Sequence, residues 1–232
     1  VYNKDDAILE EVLSSFPHKK QPFSTKSKDV LYKIDNKNII GPSDDKLLNI
    51  DELSIPGEHN LQNFLAASTC SHLMGISQNQ IVKSMKEFKG VEHRLEYVRT
   101  INGADYINDS KATNIDSVIV AINTYKQPVI LILGGFNKGA NFRLLLPHIK
   151  SSHVRDIVSY GDAGGQINTA LGDAVRSVQV TDLSSAVKKA QLMAAPGDIV
   201  LLSPGCASYD EFSNFEERGN HFKSIIKNLA AS

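Results

Sequence analysis

The sequence carries almost no net charge. Its 25 Lys and Arg stand against 26 Asp and Glu, leaving −1 and a pI near 6.7, so no global field exists to hold a polyanion such as DNA or an anionic membrane surface. Nucleic acid is therefore a poor candidate partner. Long apolar runs are missing as well. Stretches such as Val129–Leu133 fall far short of the ~20 residues that cross a bilayer, which excludes a membrane-spanning helix. Cysteine is scarce: Cys70 and Cys206 lie far apart and show no paired-ligand spacing, arguing against a zinc site or a disulfide scaffold and for a reducing cytoplasm. The start, Val1-Tyr2-Asn3-Lys4-Asp5-Asp6, has neither an initiator Met nor the basic-then-apolar pattern of a signal peptide, and reads as a chain begun midway. Internal repeats and low-complexity segments are absent.

What remains is the composition of an ordinary globular protein, 41% apolar and 22% charged over 232 residues, enough for one large domain or two of usual size. Ala7, Ile8, Leu9, Val12 and Leu13 follow a helical repeat behind Asp5 and Asp6, which predicts an amphipathic helix. Between Gln21 and Ser54 the runs Val30–Ile34, Asn38–Ile40 and Leu47–Ile50 are broken by Asp, Asn, Gly and Pro and read as hairpin strands. Helices are expected from Asn60 and over Gln78–Phe88.

After Gly90 the pattern becomes regular. Leu95–Ile101 and Ala104–Asn108 are joined by Asn102-Gly103, a strong hairpin signal. Helix and strand then alternate: helices at 115–125, 142–149, 165–171, 183–194 and 214–229, strands at 129–133, 154–160, 175–180 and 199–202. Such alternation indicates a Rossmann-like, doubly wound, mostly parallel sheet with an antiparallel hairpin strand at its start, preceded by a partial mixed α/β region.

In open α/β sheets ligands bind beyond the carboxyl ends of the strands, and three strand-to-helix loops are chemically unusual. Asn108-Asp109-Ser110-Lys111-Ala112-Thr113-Asn114 crowds a carboxylate, an ammonium and several hydroxyl and amide groups into one turn; the plain alternative is a helix cap by Asp109 or Asn114 beside a solvated Lys. Gly134-Gly135-Phe136-Asn137-Lys138-Gly139 lets backbone approach a ligand and supplies a cation. It is not a Walker A loop, because Lys138 precedes the last Gly and Ala140 follows it; a tight turn with a surface Lys is the alternative. Ser203-Pro204-Gly205-Cys206-Ala207-Ser208-Tyr209-Asp210 leads toward a helix holding Phe215, Glu216, Arg218 and Gly219. Ser208 with free amides at a helix start offers an anion site or simply a cap, and Cys206, with no adjacent His, reads as an inert buried thiol. Asn60 and Asn63, three apart, share a helix face and suit an adenine edge, which needs donor and acceptor together; Arg94 can reach a phosphate. His18, His72, His148, His153 and His221 have no metal-ligand spacing.

Gly57-Glu58-His59-Asn60-Leu61-Gln62-Asn63, His93-Arg94-Leu95-Glu96, the Asn108–Asn114 block, Leu133–Gly139 and Leu202–Asp210 occur in an order that resembles the Mur ligases, and the Asn108–Asn114 block resembles the D-glutamate-adding branch. The resemblance implies an ATP-driven ligase of peptidoglycan precursor synthesis that activates a carboxylate as an acyl phosphate and joins D-glutamate to UDP-N-acetylmuramoyl-L-alanine. It implies that residues 1–89 end an ATP-binding central domain and that 90–232 form a D-glutamate-binding domain. Asn60 and Asn63 would then hold adenine, Asp109 the ribose, and Arg94 the phosphates. Lys111 would lie at the reacting groups, and Thr113, Lys138, Ser208, Tyr209 and Phe215 would bind D-glutamate. The family's Gly-Lys-Ser/Thr loop, magnesium-binding acids, modified Lys and UDP-sugar domain have no counterpart here. The implication is a monomeric, cytoplasmic enzyme using ATP and Mg2+, with the metal ligands upstream and this portion inactive alone. Two other readings stand beside it. One is a non-catalytic Rossmann-like module for a small acidic ligand. The other, a nicotinamide dehydrogenase, is disfavoured because no Gly-x-Gly-x-x-Gly follows the first strand of the alternating unit.

Overall fold

A computed structural model describes residues 1–55 and 57–229, and the chain divides into two units, Val1–Gly90 and Val91–Ser232. In the first unit β1 (Tyr2–Asn3) pairs in parallel with β2 (Pro22–Phe23), a contact too short for periodicity to reveal. Between them lies α1 (Ala7–Ser14), whose first amides, on Ile8 and Leu9, are capped by the Asp6 carboxylate. An antiparallel sheet follows, in the order β3 (Lys33–Asp35), β4 (Asn38–Ile40), β5 (Lys46–Asn49). Asn36 and Lys37, with φ of 46° and 62°, form its first two-residue turn. The strand expected from Val30 begins only at Lys33. Its partner β4 ends at Ile40, ahead of Gly41-Pro42, so residues 30–32 have no ladder to join. Tyr32 nonetheless enters the core with Ile39, Leu48, Phe64, Leu65, Ile81 and Met85. The last two elements are α2 (Glu58–Leu73) and α3 (Gln78–Glu87), the latter opened by a Ser77/Gln80 capping box.

The second unit is built on a six-stranded sheet. It opens with the hairpin β6 (Glu96–Ile101) and β7 (Ala104–Asn108), turned by Asn102 and Gly103 at φ 51° and 78°. Then follow α4 (Ile115–Thr124), β8 (Val129–Gly134), α5 (Leu146–Ser151), β9 (Val154–Tyr160), α6 (Gly164–Leu171), β10 (Arg176–Gln179), α7 (Leu183–Met193), β11 (Ile199–Gly205) and α8 (Phe215–Asn228). The strand order is β10-β9-β8-β11-β7-β6, parallel except for β6.

Every residue of β8 and β11 is buried, because helices cover both faces of a parallel sheet. Leu131 and Leu133 turn toward α4, α5 and α6, packing with Val118, Ile122 and Ile167. Ile130 and Ile132 face α7 and α8, with Val187, Phe222 and Ile226. Two sequence boundaries shift. The helix expected at 142–149 divides into a 3-10 turn, Phe142–Leu145, and α5, with Pro147 in the first turn, where its missing N–H costs nothing. Meanwhile β11 runs on through Ser203-Pro204-Gly205, which the sequence reading assigned to a loop; the ladder slips between Leu202 and Gly205, where proline cannot donate.

Chain direction fixes where a ligand can sit. From β7 and β8 the chain leaves toward one face of the sheet, and from β11 toward the other. The three loops after these neighbouring strands therefore meet at a topological switch point.

Candidate functional site

The three loops are bound to one another by backbone hydrogen bonds. Asp109 N–H donates to the Leu202 carbonyl (2.8 Å) and Gly205 N–H to that of Ala112 (2.8 Å), joining the β7 and β11 loops. Phe136 and Ala207 exchange both of their bonds (2.9 and 3.1 Å), joining the β8 and β11 loops. Such closeness needs glycine. A Cβ on Gly135 (φ 119°) would overlap the Ala207 carbonyl, and one on Gly134 (φ 153°) would overlap Tyr160.

Lys111 is exposed, its Nζ 5.7 Å above the Phe215 ring. Its backbone N–H donates to the His93 carbonyl (3.0 Å). Thr113 is half-buried, immediately before Asn114, whose side chain caps α4. Lys138 is exposed and has no ion-pair partner among the described residues. Its loop is fixed by Asn137, whose Oδ1 accepts from the amides of Gly139 (2.9 Å) and Ala140 (2.7 Å). Ser208 is buried, and its carbonyl accepts from Glu211 and Phe212, closing a turn. The expectation that Ser208 opens a helix is corrected: α8 starts at Phe215 and its cap is Asn214. Tyr209 is exposed, and Phe215 is half-buried. Cys206 is buried and its thiol pushed up to about 12, chiefly by burial, the character of an unreactive sulfur.

Asp109 is not a helix cap either. Only 5% exposed, its carboxylate accepts from Ser203 Oγ (2.8 Å) and Leu95 N–H (3.2 Å). Burial pushes its pKa up to about 7, outweighing those two bonds and the charge of Arg94. Both oxygens are thus engaged within the second unit, and Arg94 nearby is exposed. Asn60 and Asn63 belong to the first unit, on α2; Asn60 is buried and Asn63 exposed.

Sequence reasoning passed over two residues beneath the loops. His93, in the left-handed region at φ 65°, is buried. Its ring bonds Asn108 Nδ2 (3.0 Å) and meets the Phe215 ring edge-on at 6.1 Å, and it occupies the space left by Gly219. Arg218 is wholly buried. Nε donates to Ser110 Oγ (3.0 Å), Nη2 to the Ser110 carbonyl (2.8 Å), and Nη1 to the carbonyls of Cys206 (3.1 Å) and Ala207 (3.2 Å). Ser110 Oγ then donates to the Phe215 carbonyl (2.8 Å). A sequence signal for it exists: Arg218 stands on the stripe Phe215, Phe222, Ile226, where helical spacing calls for an apolar side chain.

The assembly presents cations, hydroxyls and amides on a glycine-rich floor, a chemistry suited to an anionic ligand. The family model described as "Mur ligase, glutamate ligase domain" matches residues 93–206, which takes in the first two loops and the start of the third, as far as Cys206. The chain is also 42% identical, over 99% of its length and 52% of the relative's, to UDP-N-acetylmuramoylalanine–D-glutamate ligase of Clostridioides difficile. It belongs to the Mur ligase family.

Among solved Mur ligases, UDP-N-acetylmuramate-alanine ligase of Thermotoga maritima matches with a TM-score of 0.63 at 15% identity, over 90% of this chain and 48% of that one. The MurF ligase of the same organism, in complex with ADP, matches with a TM-score of 0.63 at 14% identity, over 97% and 53%. At such identities the likeness speaks for the fold, the mixed α/β architecture with a mostly parallel sheet. The chain spans about half the length of the curated relatives it matches. Among the described residues no three His, Cys, Asp or Glu side chains converge as metal ligands. No helix among the described residues is long and apolar enough to cross a membrane.

Proposed function

We propose that this chain supplies the D-glutamate site and part of the nucleotide site of an ATP-dependent ligase that joins D-glutamate to UDP-N-acetylmuramoyl-L-alanine. The observation that carries the reading is similarity over nearly the whole chain, at 38–42% identity, to relatives named as UDP-N-acetylmuramoylalanine–D-glutamate ligases. The loop chemistry supports it. D-glutamate brings two carboxylates and an amine, and the second unit offers the exposed ammonium of Lys138, the hydroxyls of Thr113 and Ser208, the backbone at Tyr209, and the Phe215 ring as an apolar wall. In the reaction the amine forms a C–N bond to the acyl phosphate carbon, the C–O bond to phosphate breaks, and the amine loses a proton. Lys111, fixed over Phe215, would offset negative charge on the reacting oxygens. Arg94 would reach the nucleotide phosphates, Asp109 would lie by the ribose, and Asn60 and Asn63 would serve the adenine.

In the full-length protein, Lys138→Ala is expected to weaken D-glutamate use by about 2–5 kcal/mol, the range for truncating one partner of a desolvated charge pair, with the KM for ATP unchanged. Phosphate release measured against each substrate checks this; unaltered D-glutamate kinetics would remove Lys138 from the site. Equilibrium binding of D-glutamate without any phosphate release would favour the non-catalytic binding module instead.

A further inference from the structure

Arg218 is the largest wholly buried side chain of the second unit, and no carboxylate among the described residues forms an ion pair with it. Its donors go to neutral acceptors, one hydroxyl and three carbonyls. Those carbonyls set the direction of the amides that follow. In a planar trans peptide the N–H of one residue points opposite to the carbonyl of the residue before it. Holding the Ser110 carbonyl inward therefore turns Lys111 N–H outward, where it meets the His93 carbonyl; holding Cys206 turns out Ala207 N–H, which meets the Phe136 carbonyl. Holding the Ala207 carbonyl turns out Ser208 N–H in the same way, and that donor finds no acceptor among the described residues. An oriented amide with no acceptor among the described residues and a guanidinium whose hydrogen bonds all go to neutral groups thus lie on opposite sides of one peptide unit.

We propose that Arg218 is the positioning residue of an anion subsite: it presents Ser208 N–H, backed by its own buried charge, to a carboxylate of the acidic amino-acid substrate. The inference rests on the D-glutamate reading above and deepens it. The bound carboxylate would accept the oriented amide and add its negative charge to that of Glu211, which already lies within the field of the guanidinium. Arg218 touches no substrate itself. Its effect passes through the peptides that it holds.

Two measurements test this. In the full-length enzyme, Arg218→Met is expected to raise the KM for D-glutamate about 100-fold and Arg218→Lys, which keeps the charge but not the fork, about 10-fold, with the KM for ATP within about threefold of wild type in both. A merely structural role would instead lower kcat and raise both KM values in step with a falling melting temperature, overturning the proposal. Should neither variant fold, the wild-type protein decides. The Ser208 amide resonance is expected to move downfield on adding D-glutamate and to stay in place with D-glutamate dimethyl ester, in which both carboxylates are neutral. A Ser208 amide that stays put while calorimetry shows D-glutamate bound overturns the proposal and leaves the functional reading intact. Absence of D-glutamate binding to the wild type overturns both.

Discussion

The two units of this chain bury themselves very differently. Val91–Ser232 has a hydrophobic core on each face of its sheet, and its central strands β8 and β11 are buried from end to end. Val1–Gly90 rests, among the described residues, on a single cluster of seven buried side chains, and α1 buries none of its residues, leaving Ile8 and Val12 73% and 63% exposed. The contrast explains where chemistry can be held accurately. Lys111, Lys138 and Ser208 all sit on loops, yet each loop leaves a wholly or mostly buried strand and is tied to its neighbour by backbone bonds, so positions are inherited from the rigid sheet. Short strands and a half-covered helix offer no such frame.

The largest effect should come from the middle of that sheet. Leu131, wholly buried in β8, is expected to cost about 2–5 kcal/mol when cut to Ala, through lost transfer energy and the cavity left behind. Leu65→Ala, equally buried in the first unit, should cost a comparable amount but locally. Hydrogen exchange should then accelerate in α2 and α3 while β8 and β11 stay protected. If either substitution releases both units in one transition, the energetic separation drawn here is wrong.

A smaller, pH-dependent effect should mark the second unit. Folding raises the Asp109 carboxyl from its ordinary value near 4 to about 7. Between those values the native state holds a proton that the unfolded chain has released, so stability falls as pH rises through the window and is recovered on acidification. The upper bound is about 4 kcal/mol for a shift of this size, since each unit is worth about 1.4 kcal/mol. Asp109→Asn keeps an acceptor for Leu95 N–H and a partner for Ser203. It should flatten the dependence between about pH 4 and 7 and make the protein more stable than wild type at pH 7. A denaturant series across that range checks the slope; an unchanged slope would mean that Asp109 is ionised in the native protein.

Much of this frame is legible in the sequence, for physical reasons. The unbroken apolar run of β8 has one reading in a parallel sheet, and Asn102-Gly103 encodes its own turn through two left-handed residues. The loops after β7 and β8 could be picked out because their glycines and cations interrupt the apolar pattern of strands and helices. What the pattern could not show depends on partners distant in the chain. The sequence offers Ser208 at a helix start, as an anion site or a cap, whereas a separate turn at Ser208–Phe212 stands between it and the helix, which begins at Phe215 as its own pattern indicates. Arg218 looked like one charge in a charged helix, and its role emerges only once Ser110, 108 residues away, is seen at its Nε.

The smallest effect belongs to α1. Val12 follows the helical repeat that marks a buried face, yet it is 63% exposed in this chain, so replacing it by Ser removes little apolar area from a dry environment. Helix propensity changes by only a few tenths of a kcal/mol between the two residues, and the Asp6 cap that fixes the helix start is untouched. Val12→Ser in the 232-residue chain should accordingly change unfolding free energy by no more than about 0.5 kcal/mol, the usual range for exposed positions. The same change at Val187, which is wholly buried against β8 and β9 on α7, would leave a hydroxyl without water and should cost several times as much. Thermal melts of the two variants side by side measure the contrast on one scale. A loss at Val12 as large as that at Val187 would mean that α1 has a packing partner in solution, and the weaker unit would then have to be redrawn as part of a larger core.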